Sequence, residues 1–168
     1  MTKTEPLNDV ILPADCQHDL HDPRLRRLLD YWRSRCAGVT MPLPNAIDPL
    51  DFPYILGYVA LVDVETEPRR YRYRLDGSIL VHLSGIEFTG KYHDEYDLPE
   101  YNRFTQAIYD RVVDTGKPYA YRYNGYLDQK PFNEETLLLP LGRDGMVSRV
   151  ILGVIPGDLP LEQGQQLI

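Results

Sequence analysis

Residues 71–90 read YRYRLDGSILVHLSGIEFTG, and this stretch decides how the rest of the chain is arranged. Its first part alternates tyrosine and leucine with arginine, which predicts a half-buried strand with one apolar and one cationic face. The alternation ends at Gly77, and Ser78 begins a short apolar run with helical spacing that Gly85 ends. The stretch therefore predicts a strand, a corner, one short helix and a second corner.

Two motifs in this stretch resemble the central signature of a family of small bacterial PAS domains. The first is YRLDGS at residues 73–78, and the second is SGIEFTG at residues 84–90. Upstream, LLDYW at residues 28–32 resembles the family's helix motif, and MPLPNAIDP at residues 41–49 resembles its proline-rich lead-in. The resemblance spans about residues 25–154, and its specificity comes from the order and spacing of the motifs together.

The resemblance implies an α+β, PAS-like fold: a five-stranded antiparallel sheet with helices on one face and an N-terminal amphipathic helix. Such folds hold small ligands in a cavity between the sheet and the helices. The resemblance also implies a sensory or regulatory module of bacterial signal transduction that acts by a ligand-dependent or partner-dependent shift. Its output would pass to a protein partner, a homodimer is expected, and no catalytic activity is expected.

The composition limits the classes of protein to which the chain can belong. A chain of 168 residues with 43% hydrophobic and 26% charged residues is typical of one globular domain. The net charge of -7 argues against a general nucleic-acid binder, which needs a basic face. No apolar stretch reaches the roughly 20 residues that span a bilayer, so membrane insertion is not expected. With no signal peptide and no need for a disulfide, a cytoplasmic location is the default expectation.

The expected organisation is a flexible leader at residues 1–21, one domain at residues 22–156 and a flexible tail at residues 157–168. The first domain helix begins with Asp22 as N-cap and Pro23 at the first helical position, and it ends at Gly38. Its apolar stripe either covers the core of its own domain or forms a dimer contact. A longer helix is expected from Asp97 to about Thr115.

Five strands surround these helices. The runs at residues 58–64 and 71–75 predict an antiparallel hairpin. After the long helix, strands are expected at residues 119–123, 135–141 and 147–155, and the composition GRDG at residues 142–145 predicts a hairpin turn.

The expected ligand-binding residues line the predicted cavity, with Arg74 as the partner for an anion or a hydrogen bond. They are Tyr73, Arg74, His82, Phe104, Ile108 and Tyr121. The tyrosines of two strands either line this pocket or cover the sheet and leave their hydroxyl groups in water. The arginines of the same strands form either an acceptor for an acidic partner or a solvated face paired with acidic side chains.

No motif supports catalysis or metal binding. His18 and His21 lie near Cys16, but a structural zinc site needs four converging ligands and the leader is expected to be loose. No nucleophile motif or phosphate-binding loop is present. Glu134 and Glu135 are expected at an exposed strand end. No cofactor is identified: haem ligation through His82 has no supporting motif, and no cysteine after residue 36 could serve a flavin photosensor.

Two alternatives to the ligand sensor remain. A ligand-free module for dimerisation or docking would have a solidly packed core. A small cone-shaped enzyme would need a buried ionisable pair, such as His82 within reach of Asp76 or Glu87.

Overall fold

The computed structural model describes residues 6–10, 20–95, 99–127 and 130–157. Its described strands are β1 (Pro6–Val10), β2 (Val59–Glu65), β3 (Arg70–Leu75), β4 (Tyr119–Leu127), β5 (Lys130–Arg143) and β6 (Met146–Pro156). They form one antiparallel sheet in the order β1-β4-β5-β6-β2-β3. Its described α-helices are α1 (Pro23–Arg35), α2 (Ser78–Ser84) and α3 (Pro99–Thr115), and short 3-10 turns lie between α1 and β2.

The predicted fold class is confirmed, since five of these strands are the predicted ones. β5 is longer than predicted, because it begins at Lys130 rather than at residue 135. The turn between β5 and β6 places Asp144 and Gly145 at φ of 52° and 79°, the positive values that a two-residue type I′ hairpin needs. β1 lies within the segment expected to be the leader and pairs with β4. The boundaries of leader, domain and tail remain a prediction.

The sheet has two covered faces, and the consecutive residues Glu134 and Glu135 identify them. Successive side chains of a strand point to opposite faces. Glu134 accepts a hydrogen bond from the hydroxyl group of Tyr121, on the face that α3 covers. Glu135 accepts hydrogen bonds from the backbone N–H groups of His21 and Asp22, at the start of α1. We call the α3 side the inner face and the α1 side the outer face.

Helix α1 begins and packs as its sequence pattern indicates. The Asp22 side chain accepts a hydrogen bond from the backbone N–H of Arg24 and caps the helix. The helix buries four apolar side chains against the outer face, namely Leu25, Leu28, Leu29 and Trp32. The indole N–H of Trp32 donates to the carbonyl oxygen of Pro140 at 2.8 Å, which fixes the helix on β5. The apolar stripe of α1 therefore covers the core of its own domain.

The signature stretch forms a clasp between β3 and the loop that follows α2. Gly77 approaches the backbone so closely that a β-carbon there would lie 2.3 Å from the carbonyl oxygen of Gly57. The Asp76 carboxylate accepts a hydrogen bond from the backbone N–H of Phe88, and the Asp76 backbone N–H donates to the Thr89 hydroxyl oxygen. The two motifs that carry the resemblance thus bind to each other.

The same loop then covers the free edge of β3. The backbone N–H of Tyr73 donates to Lys91, while the carbonyl oxygen of Tyr73 accepts from Gly90. Two residues further on, the backbone N–H of His93 donates to the carbonyl oxygen of Tyr71. An edge strand covered in this way is protected against pairing with other chains.

Two expectations at element ends fall outside the described residues. They are the N-cap at Asp97 and the polar tail after residue 157. The end of α3 is described, and Gly116 follows it with φ of 63° as a helix-terminating glycine.

Candidate functional site

Aromatic rings cover the inner face beneath α3. Four of the five strand tyrosines are almost completely buried, namely Tyr71, Tyr119, Tyr121 and Tyr123, while Tyr73 is half-buried. From α3, the ring of Phe104 meets the ring of Tyr121 edge-on at 5.1 Å between centroids. Tyr101 meets Tyr123 in the same manner at 5.8 Å. Of the two alternatives for these tyrosines, the one that leaves their hydroxyl groups in water is therefore wrong for the buried ones.

A single carboxyl group lies among these rings. The Glu134 carboxylate accepts a hydrogen bond from the Tyr121 hydroxyl at 2.7 Å and a longer one from the Tyr101 hydroxyl at 3.4 Å. The residue is 5% exposed. Burial raises the pKa of Glu134 to about 7, although the tyrosine hydrogen bonds oppose that shift. Near neutral pH the group can therefore gain or lose a proton.

Three further hydroxyl groups of the inner face also have hydrogen-bond partners. The hydroxyl groups of Tyr73 and Tyr109 share a hydrogen bond of 2.7 Å, and the Tyr71 hydroxyl donates to the Asp110 carboxylate. His93 is buried against the rings of Tyr71 and Tyr109, and burial lowers its pKa. The inner face is therefore a network of packed aromatic rings, several of which are also held by hydrogen bonds of their hydroxyl groups.

Four of the predicted ligand-binding residues lie on this face, and two do not. Tyr73, Phe104, Ile108 and Tyr121 all lie on the inner face or on the side of α3 that packs against it. Arg74 instead alternates to the other side of β3 and pairs with Asp63 at 2.9 Å. His82 is exposed on α2. The ligand-binding role of all six residues remains a prediction.

Glu134 and Glu135 were expected at an exposed strand end, and this expectation is wrong. Because β5 begins at Lys130, both residues lie within the strand, where they pair with Tyr123 and Arg122 of β4. Glu135 is bound by the Arg122 guanidinium at 2.9 Å. The signal available in the sequence was the position of two acids one residue before an apolar run, in a chain whose preceding strand carries a tyrosine at every second residue.

The arginines of β3 form a solvated face with local partners. Arg70 pairs with Asp94 at 3.2 Å, and Arg72 donates to the carbonyl oxygen of Gly90. Asp63 bridges Arg74 and Arg149, the latter at 2.7 Å. This matches the reading in which acidic side chains neutralise the cationic face.

A concave region lies at the start of α1. It is a cleft of about 500 Å³, lined among others by Asp22, Arg122, Glu134, Glu135 and Ile155. Its polar groups already bind one another, because Glu135 holds both the Arg122 guanidinium and the backbone that leads into α1. The hydrogen bonding of this cleft therefore supports the placement of α1.

Other chemistry finds little support among the described residues. His82 lies on the surface and Asp76 binds backbone, so the buried pair required by a cone-shaped enzyme is not formed. The described residues hold no cluster of three or more His, Cys, Asp or Glu side chains that could bind a metal ion. Cys16 and His18 lie outside the described residues. None of the described helices is long and apolar enough to cross a bilayer.

Comparison with protein families agrees with this architecture. The family model for the PAS domain matches residues 20–156, which is most of the chain. The chain therefore belongs to the PAS domain family, a class of sensory and regulatory modules. Searches among curated proteins and among solved structures gave no significant match.

Proposed function

We propose that this PAS domain is a sensor that binds a small molecule on its inner face, beside Glu134. The observation that carries the proposal is the placement of one buried carboxyl group among tyrosine rings and hydroxyl groups. Ligand sites typically combine an apolar lining with a small number of well-placed polar groups. A buried ionisable group with a strongly shifted pKa also marks candidate functional sites.

The proposed mechanism is a ligand-dependent shift between two arrangements of the loop that follows α2. The ring of Tyr73 packs on the ring of Phe88 at 5.0 Å, and Phe88 is bound through its backbone to Asp76, next to α2. A ligand that displaces the Tyr73 ring would therefore move the clasp. Such a ligand shifts the equilibrium only as far as its affinities for the two states differ.

The signal would pass from this clasp to a protein partner, in a bacterial and cytoplasmic setting. The apolar stripe of α1 is buried against its own sheet and is therefore not exposed for docking. The four apolar residues of α2 are only half-buried, namely Ile79, Leu80, Val81 and Leu83. This exposure favours, as the second candidate function, a docking module that works without a ligand. A homodimer remains a prediction for both functions.

Native mass spectrometry of the purified protein tests the proposal. We expect a noncovalent adduct that is lost on denaturation, and a smaller adduct-bearing fraction in Tyr121→Phe and Glu134→Gln. Arg74→Ala is the matched control, because Arg74 faces away from the inner face and pairs with Asp63. A clean protein mass, together with no thermal shift across a metabolite panel, would favour the docking module instead.

A further inference from the structure

We infer that the Glu134 site takes a small organic cation, namely a protonated amine carried on a flat or apolar body. This inference rests on the proposed function, because it assigns a chemical class to the ligand of the same site. Its basis is the combination of an acid without a described counter-charge, a lining of aromatic rings and the partial exposure of the two rings on the α3 side.

The acid of this site has no basic partner among the residues that the structure describes. Glu134 forms no ion pair with any residue that the structure describes, and its described hydrogen bonds come from tyrosine hydroxyl groups. The nearby Arg122 lies on the other face of the sheet and is bound to Glu135. A buried carboxylate without a counter-charge is costly, and a cation beside it removes much of that cost. An anionic ligand would add to the cost.

The lining suits the same class of ligand. Rings from two elements pack together beside the carboxyl group, and they belong to Tyr101, Phe104, Tyr121 and Tyr123. The negative faces of aromatic rings attract ammonium and guanidinium groups, most strongly where water is excluded. The ring bodies would also cover the apolar part of an amine, which an inorganic cation lacks.

The rings on the α3 side of the site are partly exposed. Tyr101 and Phe104 lie in the first two turns of α3 and are only half-buried, whereas Tyr121 and Tyr123 beneath them are buried. A ligand can therefore reach Glu134 by displacing the rings of α3 without opening the sheet. The body of the amine would replace the ring contacts that the displaced side chains lose.

Three probes of similar shape and different charge test the inference: 2-phenylethylamine, 2-phenylethanol and phenylacetate. Isothermal titration calorimetry at pH 8 should show the amine binding at least tenfold more tightly than the alcohol, with the acid weakest. Glu134→Gln should remove the preference, so that the amine no longer binds more tightly than the alcohol. Glu87→Gln, which changes an exposed acid, should behave as the wild type.

The pH dependence gives a second readout. Among the described residues, the ionisable groups that face Glu134 are tyrosines, from β3 (Tyr73), α3 (Tyr101 and Tyr109) and β4 (Tyr121 and Tyr123). Below pH 7 the amine must displace a proton from Glu134, whose pKa is about 7. Amine affinity should therefore fall about tenfold from pH 8 to pH 6, and alcohol affinity should not.

Two results would overturn the inference and leave the proposed sensor standing. One is tighter binding of the acid or the alcohol than of the amine. The other is an adduct in native mass spectrometry that is lost in Tyr121→Phe, with no response to the amine. Absence of any adduct and of any response to all three probes would instead overturn the proposed sensor itself.

Discussion

Glu134 makes the folded chain hold a proton that the unfolded chain releases. Its pKa rises from an ordinary value of 4.5 to about 7 in the fold because the carboxyl group is buried. The stability that this group contributes below pH 4.5 is therefore lost as pH rises through 7. The variant Glu134→Gln has no ionisable group at this position, so it does not lose stability in this way. We compare the free energy of unfolding of the variant with that of the wild type at each pH. We expect this difference to shift in favour of the variant by on the order of 1–3 kcal/mol from pH 5 to pH 8.

Urea unfolding of both proteins at the two pH values measures this difference. Asp76 and His93 also titrate with shifted pKa values, but they are present in both proteins and cancel in the comparison. Asp30→Asn, at an exposed acid of α1, should leave the pH dependence of unfolding as it is in the wild type. Parallel pH profiles for the wild type and Glu134→Gln would contradict the assignment of a raised pKa to Glu134.

At the scale of elements, α1 depends on the small size of Gly153 in β6. A β-carbon at this position would lie 2.8 Å from a methyl group of Leu25 and 3.0 Å from one of Leu28. We expect Gly153→Ala to lower the free energy of unfolding by about 1–3 kcal/mol through this overpacking, despite the better strand propensity of alanine. Ser148→Ala, at an exposed position of the same strand, should be nearly neutral. Urea unfolding would disprove the prediction if both variants match the wild type.

Local patterns were enough to predict most elements, but they were not enough to predict how long each element is. The period of two in β3 and the glycine after α2 depend on neighbouring residues only, so the sequence shows both. The length of β5 depends on its pairing with β4, which carries Glu134 into the sheet. For that reason the buried acid was missed. The alternation of β3 already placed Arg74 opposite Tyr73, so its assignment to the cavity neglected the strand's own period.

The whole molecule has a sheet with a different task on each face. The outer face is closed by α1, with Trp32 bound to Pro140 and Glu135 bound to the backbone that leads into the helix. The inner face carries the aromatic network and Glu134. An amphipathic stripe predicts that a helix is buried, but it does not specify the sheet face. That choice is made by side chains far away in sequence.

The start of the domain should be decided by residues 20 and 21 rather than by the helix cap alone. Leu20 is 1% exposed and belongs to the core, and the backbone N–H of His21 donates to Glu135 at 2.9 Å. A domain that begins at residue 22 lacks both contacts. Burial of a leucine side chain contributes about 1.5–3 kcal/mol. We therefore expect the free energy of unfolding to be higher, by about that amount, for a fragment of residues 20–157 than for a fragment of residues 22–157.

Urea unfolding of both fragments and of the full chain measures this difference. The buried hydrophobic residues of the described chain run from Leu20 to Ile155, so the longer fragment should keep one cooperative transition. Removal of β1 uncovers the edge of β4, and some self-association at high concentration is expected for both fragments. Equal stability of the two fragments would place the domain start at the helix cap. Failure of the longer fragment to unfold cooperatively would make residues before 20 a necessary part of the fold.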